Sequence, residues 1–174
     1  MVLARLYKKI GEADFFLRKM REQESRIIGD KEPFDYYLSA FLNAAMSVRN
    51  GFQIRQNRSR NAAVRAWREQ WESTLTPDDK TLYDFMRQDR VDEVHHTGSS
   101  RDVGQENIPF PIGSHRIVGG MVTISGPPDM EPAVAYRPTY SFTIGGTERK
   151  VTDACTAYLA LLRRMVDDFG AANP

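Results

Sequence analysis

The apolar residues of this chain recur at helical intervals over long stretches, and that spacing limits its fold more than any motif does. Leu3, Leu6, Ile10, Ala13, Leu17, Met20 and Ile27 follow one another mostly at alternating steps of three and four. Such spacing places them on one face of a helix over residues 3 to about 28. Glu24 falls on the same stripe and interrupts it; either a buried arginine such as Arg49 or a slight rotation of the helix would account for it. Gly29-Asp30 predicts the end of this helix, and Pro33 sits near the start of the next. Phe34, Leu38, Phe41, Ala45, Val48 and Phe52 line one face of that second helix, so the pair reads as an antiparallel hairpin.

A third helix is predicted from about Asn61 to Ser73, with Trp67 and Trp71 one turn apart as core or dimer contacts. Thr76-Pro77-Asp78-Asp79 is a start signal: a hydroxyl cap, a proline in the first turn, then acids at the positive end of the helix dipole. It predicts a helix from Pro77 to about His95. Residues 97–114, rich in Gly, Ser and Pro, read as a long loop. Arg116–Ser125 and Thr139–Ile144 read as strands, with turns at Gly126-Pro127-Pro128-Asp129 and Gly145-Gly146 and a bulge at Gly119-Gly120. From Val151 the chain is helical again, with Gly170 as its stop signal and Cys155 as a packing residue.

The fold class that follows is mainly α, a bundle of four to five helices. A small antiparallel β-hairpin or sheet, about residues 115–146, is inserted before the C-terminal helix. A strand pair this short needs the bundle or a partner chain to pack on. The 174 residues, 41% of them apolar, are read as one domain.

Composition excludes several classes. No apolar stretch approaches the roughly 20 residues of a membrane-spanning helix. Charges interrupt the apolar pattern of the first residues, where a secretory signal needs a continuous apolar core, so the expected compartment is the cytoplasm. A single cysteine can form neither an internal disulfide nor a thiolate zinc site by itself.

A net charge of +1 hides a local imbalance. Residues 1–75 hold 14 Lys and Arg against 9 Asp and Glu. Arg49, Arg55, Arg58, Arg60, Arg65 and Arg68 occur in one run without an acid. Such a run is either an ordinary solvated helix face or a strip for nucleic-acid phosphates, because guanidinium forks pair with phosphate oxygens.

Candidate chemistry concentrates near the end of the fourth helix, in FMRQDRVDEVHHTGSS. Arg90, His95 and His96 lie there beside a Gly/Ser loop. An arginine can hold a phosphate and stabilise charge growing on it, and a histidine can move a proton near neutrality. Together they suit RNA cleavage by attack of the 2′-hydroxyl on the adjacent phosphate. At about 100° per residue, Arg90 stands about 140° from His95 and about 120° from His96. Either the helix frays near His95 or the histidine works with residues from elsewhere, a second subunit included. Asp92, Glu93, His95, His96 and His115 match no metal-ligand spacing. Ser99 and Ser100 lack the surroundings of a nucleophile elbow and read as solubilising loop residues.

The chain resembles the HEPN superfamily of helical-bundle proteins. FDYYLSAFLNAAMSVRNGF, the helix ending in RVDEVHHTG and the final helix carry the resemblance, over about residues 10–168. The superfamily signature, Arg followed after four to six residues by His, is matched by Arg90 with His95 or His96. The apolar–His–x–x–Gly text around Val94 and Gly98 favours His95. The resemblance implies a metal-independent endoribonuclease without a cofactor, often a toxin. In it, two copies of the motif meet across a homodimer, RNA is the substrate, and a cognate antitoxin or other protein is a partner. It equally implies the alternative of a non-catalytic module binding RNA, a nucleotide or a protein. Val91 stands where the family commonly carries a polar residue after the arginine.

Overall fold

The computed structural model describes residues 2–26, 31–52, 58–95, 99–110, 114–118, 121–125 and 133–172, without the side chains of residues 2, 58–60, 93–95, 109–125 and 133–136. The described elements are five helices, a three-stranded antiparallel sheet and a separate strand pair. The chain runs α1 (Val2–Glu24), α2 (Lys31–Asn50), α3 (Arg58–Ser73) and α4 (Pro77–His95). It continues through β1 (Asp102–Phe110), β2 (Ser114–Val118), β3 (Met121–Ser125), β4 (Ala133–Ile144) and β5 (Thr147–Lys150) into α5 (Val151–Ala172). The mainly helical class with a β insertion before the last helix is therefore correct.

Local chemistry sets the helix ends. The Thr76 hydroxyl accepts from the Asp79 backbone N–H at 3.2 Å, satisfying one of the orphan donors at the start of α4. Gly51 closes α2, its N–H donating to the Val48 carbonyl. A Cβ there would meet Leu6 Cδ2 at 2.6 Å and the Ser47 carbonyl oxygen at 2.7 Å, so only glycine fits between α2 and α1. Gly145 and Gly146 both have positive φ, 58° and 79°, as a two-residue turn between β4 and β5 requires.

One apolar cluster draws on α1, α2, α3, α4, β4 and α5. The predicted stripe of α1 is buried from Leu6 to Met20. Along β4, Tyr140, Phe142 and Ile144 alternate inward and are buried. Tyr140 stacks on Phe34 of α2, and Phe142 meets Phe85 of α4 edge to face. Burying a side chain such as Phe142 contributes about 1.5–3 kcal/mol, so these three residues fix the sheet to the bundle. Phe52, Trp67 and Phe169 form an aromatic trio, and the Trp71 indole donates to Asp168 at 2.8 Å. Trp71 is thus a core residue, and Trp67, partly buried, packs against the core.

Several expectations need correction. Residues 102–110, read as loop, form β1, which pairs with β4 from Asp102↔Ser141 to Phe110↔Ala133. Their alternation is missing because residues 102–107 are exposed on both faces and their order comes from main-chain pairing. Pro109 is tolerated on such an edge strand. The insertion accordingly starts near 102, not 115. The single strand expected at 116–125 is two, β2 and β3, paired so that Val118 faces Met121. Gly119-Gly120, read as a bulge, lie outside the described residues. Gly170 does not stop α5, which continues to Ala172. Its missing side chain lets Leu3 approach, since a Cβ would lie 3.3 Å from Leu3 Cδ1. The stops and turns expected at residues 29–30 and 126–129 lie outside the described residues.

Glu24 has no contact with Arg49. It accepts from the Thr152 hydroxyl at 2.8 Å, in the first turn of α5. Burial raises its carboxyl pKa, while the Thr152 hydrogen bond and the Lys150 ammonium hold it down. The acid that interrupts the α1 stripe thus ties the end of α1 to the start of α5, where the helix dipole favours a negative charge.

Among the described residues, no helix is long and apolar enough to cross a membrane.

Candidate functional site

Arg90 projects from α4 into a cleft between α4 and the end of α2. Met46, Arg49 and Asn50 line it from α2, and Arg87, Gln88, Arg90 and Val91 from α4, around about 390 Å³. Residues 46, 49 and 50 on one helix and 87, 90 and 91 on the other share the i, i+3, i+4 spacing that puts side chains on one face. Three arginines therefore line one cleft, and no acid is among the lining residues.

The three arginines are not equivalent. Arg49 is only 15% exposed and is engaged: its Nε donates to the Tyr83 hydroxyl at 3.0 Å and its Nη2 to Glu72 Oε1 at 3.4 Å. The Tyr83 hydroxyl in turn donates to Glu72 at 3.1 Å. Burial pushes the Tyr83 pKa up to about 12, so the phenol keeps the proton that this bond needs. Arg68 Nε lies 3.7 Å from the same Glu72 oxygen. Glu72 thus gathers α2, α3 and α4 around one carboxylate. Arg87 is exposed and Arg90 half-buried, and neither forms an ion pair among the described residues. Arg90 Nε is buried without a hydrogen-bond partner among the described residues.

The arginine run does not form one solvated strip. Arg49 and Arg68 turn toward Glu72, and Arg65 is exposed on α3. Arg58 and Arg60 lie in the first turn of α3 with side chains outside the described residues, as is all of Arg55. Of the six, the described residues bring only Arg49 to the Arg90 cleft.

α4 is helical through His95, so no fraying occurs before that residue. Arg90 and His95 accordingly occupy positions about 140° apart on one regular helix. The His95 side chain and all of His96 lie outside the described residues.

Asp89, next to Arg90, points the other way. It is 1% exposed and accepts three hydrogen bonds: from the Ser99 hydroxyl at 2.8 Å, and from the Ser100 backbone N–H and hydroxyl at 2.7 Å each. Ser99 and Ser100 are therefore not solubilising loop residues. They fasten the chain leaving α4 back onto it. The sequence carries the signal: Asp89 continues the buried Leu82–Met86 line by a step of three, as Glu24 continues the α1 stripe from Met20 by a step of four. Arg87, one turn before Arg90 in the sequence, joins it in the cleft lining.

Among the described residues, no three His, Cys, Asp or Glu side chains converge as metal ligands would. Cys155 is fully buried, and burial raises its thiol pKa well above the usual range, which makes it a packing residue rather than a nucleophile.

Comparison with protein-family models, with curated proteins and with solved structures gives no match.

Proposed function

We propose that this chain is a metal-independent endoribonuclease of the HEPN type, acting as a homodimer with a composite site. Arg90 holds the scissile phosphate, and His95 or His96 takes the proton from the attacking 2′-hydroxyl or returns it to the leaving oxygen. The observation that carries this reading is the Arg90 cleft: a guanidinium without an ion-pair partner among the described residues, beside Arg87 and Arg49, with no acid in the lining. Negative charge grows on the phosphate oxygens during attack, and a preoriented guanidinium stabilises it. The separation of Arg90 from His95 on α4 supports the dimer, because a two-fold axis can bring the histidine of one copy to the arginine of the other.

A second reading, a non-catalytic RNA-, nucleotide- or protein-binding module, is favoured by one feature. Val91, 40% exposed, lines the same cleft immediately after Arg90 and offers no polar atom to a reacting group.

The test is incubation of purified protein with mixed RNA in EDTA, beside Arg90→Ala, His95→Ala and His96→Ala. Cleavage that disappears in Arg90→Ala and in one histidine variant is the expected result. Cleavage equal in all four samples indicates a contaminant. RNA binding without cleavage in a folded dimer establishes the second reading.

A further inference from the structure

We propose that the α2–α4 cleft takes ligands carrying two neighbouring phosphates, and that Arg87 holds the second while Arg90 holds the first. The inference rests on the reading of Arg90 as a phosphate residue, but it does not require cleavage.

Three observations lead there. The first is size: about 390 Å³ is far more than one phosphate fills. The second is the division of labour among the cations. Arg49 is committed to Glu72 and Tyr83, whereas Arg87 and Arg90 have no ion pair among the described residues. Two guanidinium forks are thus available, and each can take a phosphate through paired N–H donors. The third is spacing. Residues three apart on a helix stand about 5–6 Å from each other at Cβ, on one face, so the two side chains leave α4 as neighbours and both line the cleft. Arg49 behind them adds positive potential without offering a third free fork. Two neighbouring phosphates occur joined through one oxygen, as in a diphosphate, or through a sugar, as along a nucleic-acid strand. The same pair of forks can address either.

Calorimetric titration at constant ionic strength tests this with four probes. Orthophosphate and pyrophosphate form one pair, differing by a phosphate joined through oxygen. The dinucleotides ApA and pApA form the other, differing by a phosphate joined through a sugar. In at least one pair the two-phosphate probe binds about tenfold or more tighter, the scale of one charge-assisted contact, and that pair identifies the linkage. In Arg87→Ala the advantage falls below about twofold, while the one-phosphate probe loses little; Arg87→Lys recovers only part of it, because an ammonium lacks the fork. Arg18→Ala, on the exposed surface of α1, keeps the full advantage. Arg90→Ala weakens both members of the pair.

The inference is overturned if neither pair discriminates, or if discrimination survives Arg87→Ala. Its fate is separable from that of the nuclease reading. An Arg87-dependent advantage without RNA cleavage upholds the two-phosphate cleft and removes the enzyme. RNA cleavage that needs Arg90 but is indifferent to Arg87, with no discrimination in either pair, does the reverse.

Discussion

Ser100 is fastened twice to Asp89, its backbone N–H and its hydroxyl both donating to Oδ1 at 2.7 Å. With the Ser99 hydroxyl on Oδ2, one buried carboxylate holds the far end of the segment that contains His96. Asp89→Ala strands three donors and is expected to cost about 2–3 kcal/mol. Asp89→Asn keeps two acceptor lone pairs and costs less. Urea unfolding of the two variants beside the parent measures both, and equal midpoints for all three would refute the clamp.

Among the described residues, Glu72 is the one acid that pairs with Arg49 and Arg68, both of them mostly buried. Glu72→Gln leaves two guanidinium groups without their counter-charge and is expected to cost about 1–3 kcal/mol. Tyr83→Phe removes one acceptor and one donor from the same network and costs about 1 kcal/mol. These residues share a network, so the double variant should lose less than the two single losses added together. Strict additivity in thermal or urea unfolding would show that Tyr83 and Glu72 act independently.

The raised pKa of Glu24 has a definite sign in a stability–pH profile. The folded chain holds this proton to higher pH than the unfolded chain does. Stability from this group is therefore greatest below the unfolded pKa and declines as pH rises through the folded value. Glu24→Gln removes that decline. Relative to the parent, the variant should gain stability between pH 4 and pH 7, as read from urea midpoints at the two pH values. A difference that is flat, or that runs the other way, contradicts the assignment.

Gly51→Ala forces a methyl group against Leu6 and the Ser47 carbonyl. Leu6 can shift only at the expense of the α1 stripe, and the carbonyl cannot shift without opening the last turn of α2. The expected loss is about 1–3 kcal/mol. Gly146→Ala makes a contrast, because there a methyl group has free space and the cost comes from positive φ alone.

The helices were legible because each carries a period and most carry a start or stop signal. α4 runs from Pro77 to His95, starting where the Thr76-Pro77-Asp78-Asp79 signal predicts. β1 was not legible, because a strand exposed on both faces has no alternation to read and is specified by its neighbour. The site was legible in part. Arg90 stands out by its place near a helix end, but the partners that decide which arginines remain free are distant in sequence. Arg49 meets Glu72 across 23 residues and Tyr83 across 34, and nothing in a run of arginines reveals that two of them, Arg49 and Arg68, face inward. Acids that fall on an apolar stripe were the better guide. Both Glu24 and Asp89 mark places where distant chain segments are tied together.

The pairing of β1 with β4 has a consequence for how this protein could vary. Asp102 lies opposite Ser141 and Gly104 opposite Thr139, so the chain departs from the helices and returns to them through adjacent points. Across such a pair the Cα atoms are only about 5 Å apart, a gap that a two-residue turn can bridge. Everything between Gly104 and Thr139 can therefore be shortened, lengthened or exchanged as a cassette. Among the described residues, Tyr140, Phe142 and Ile144 are what the strand lends to the helices' core.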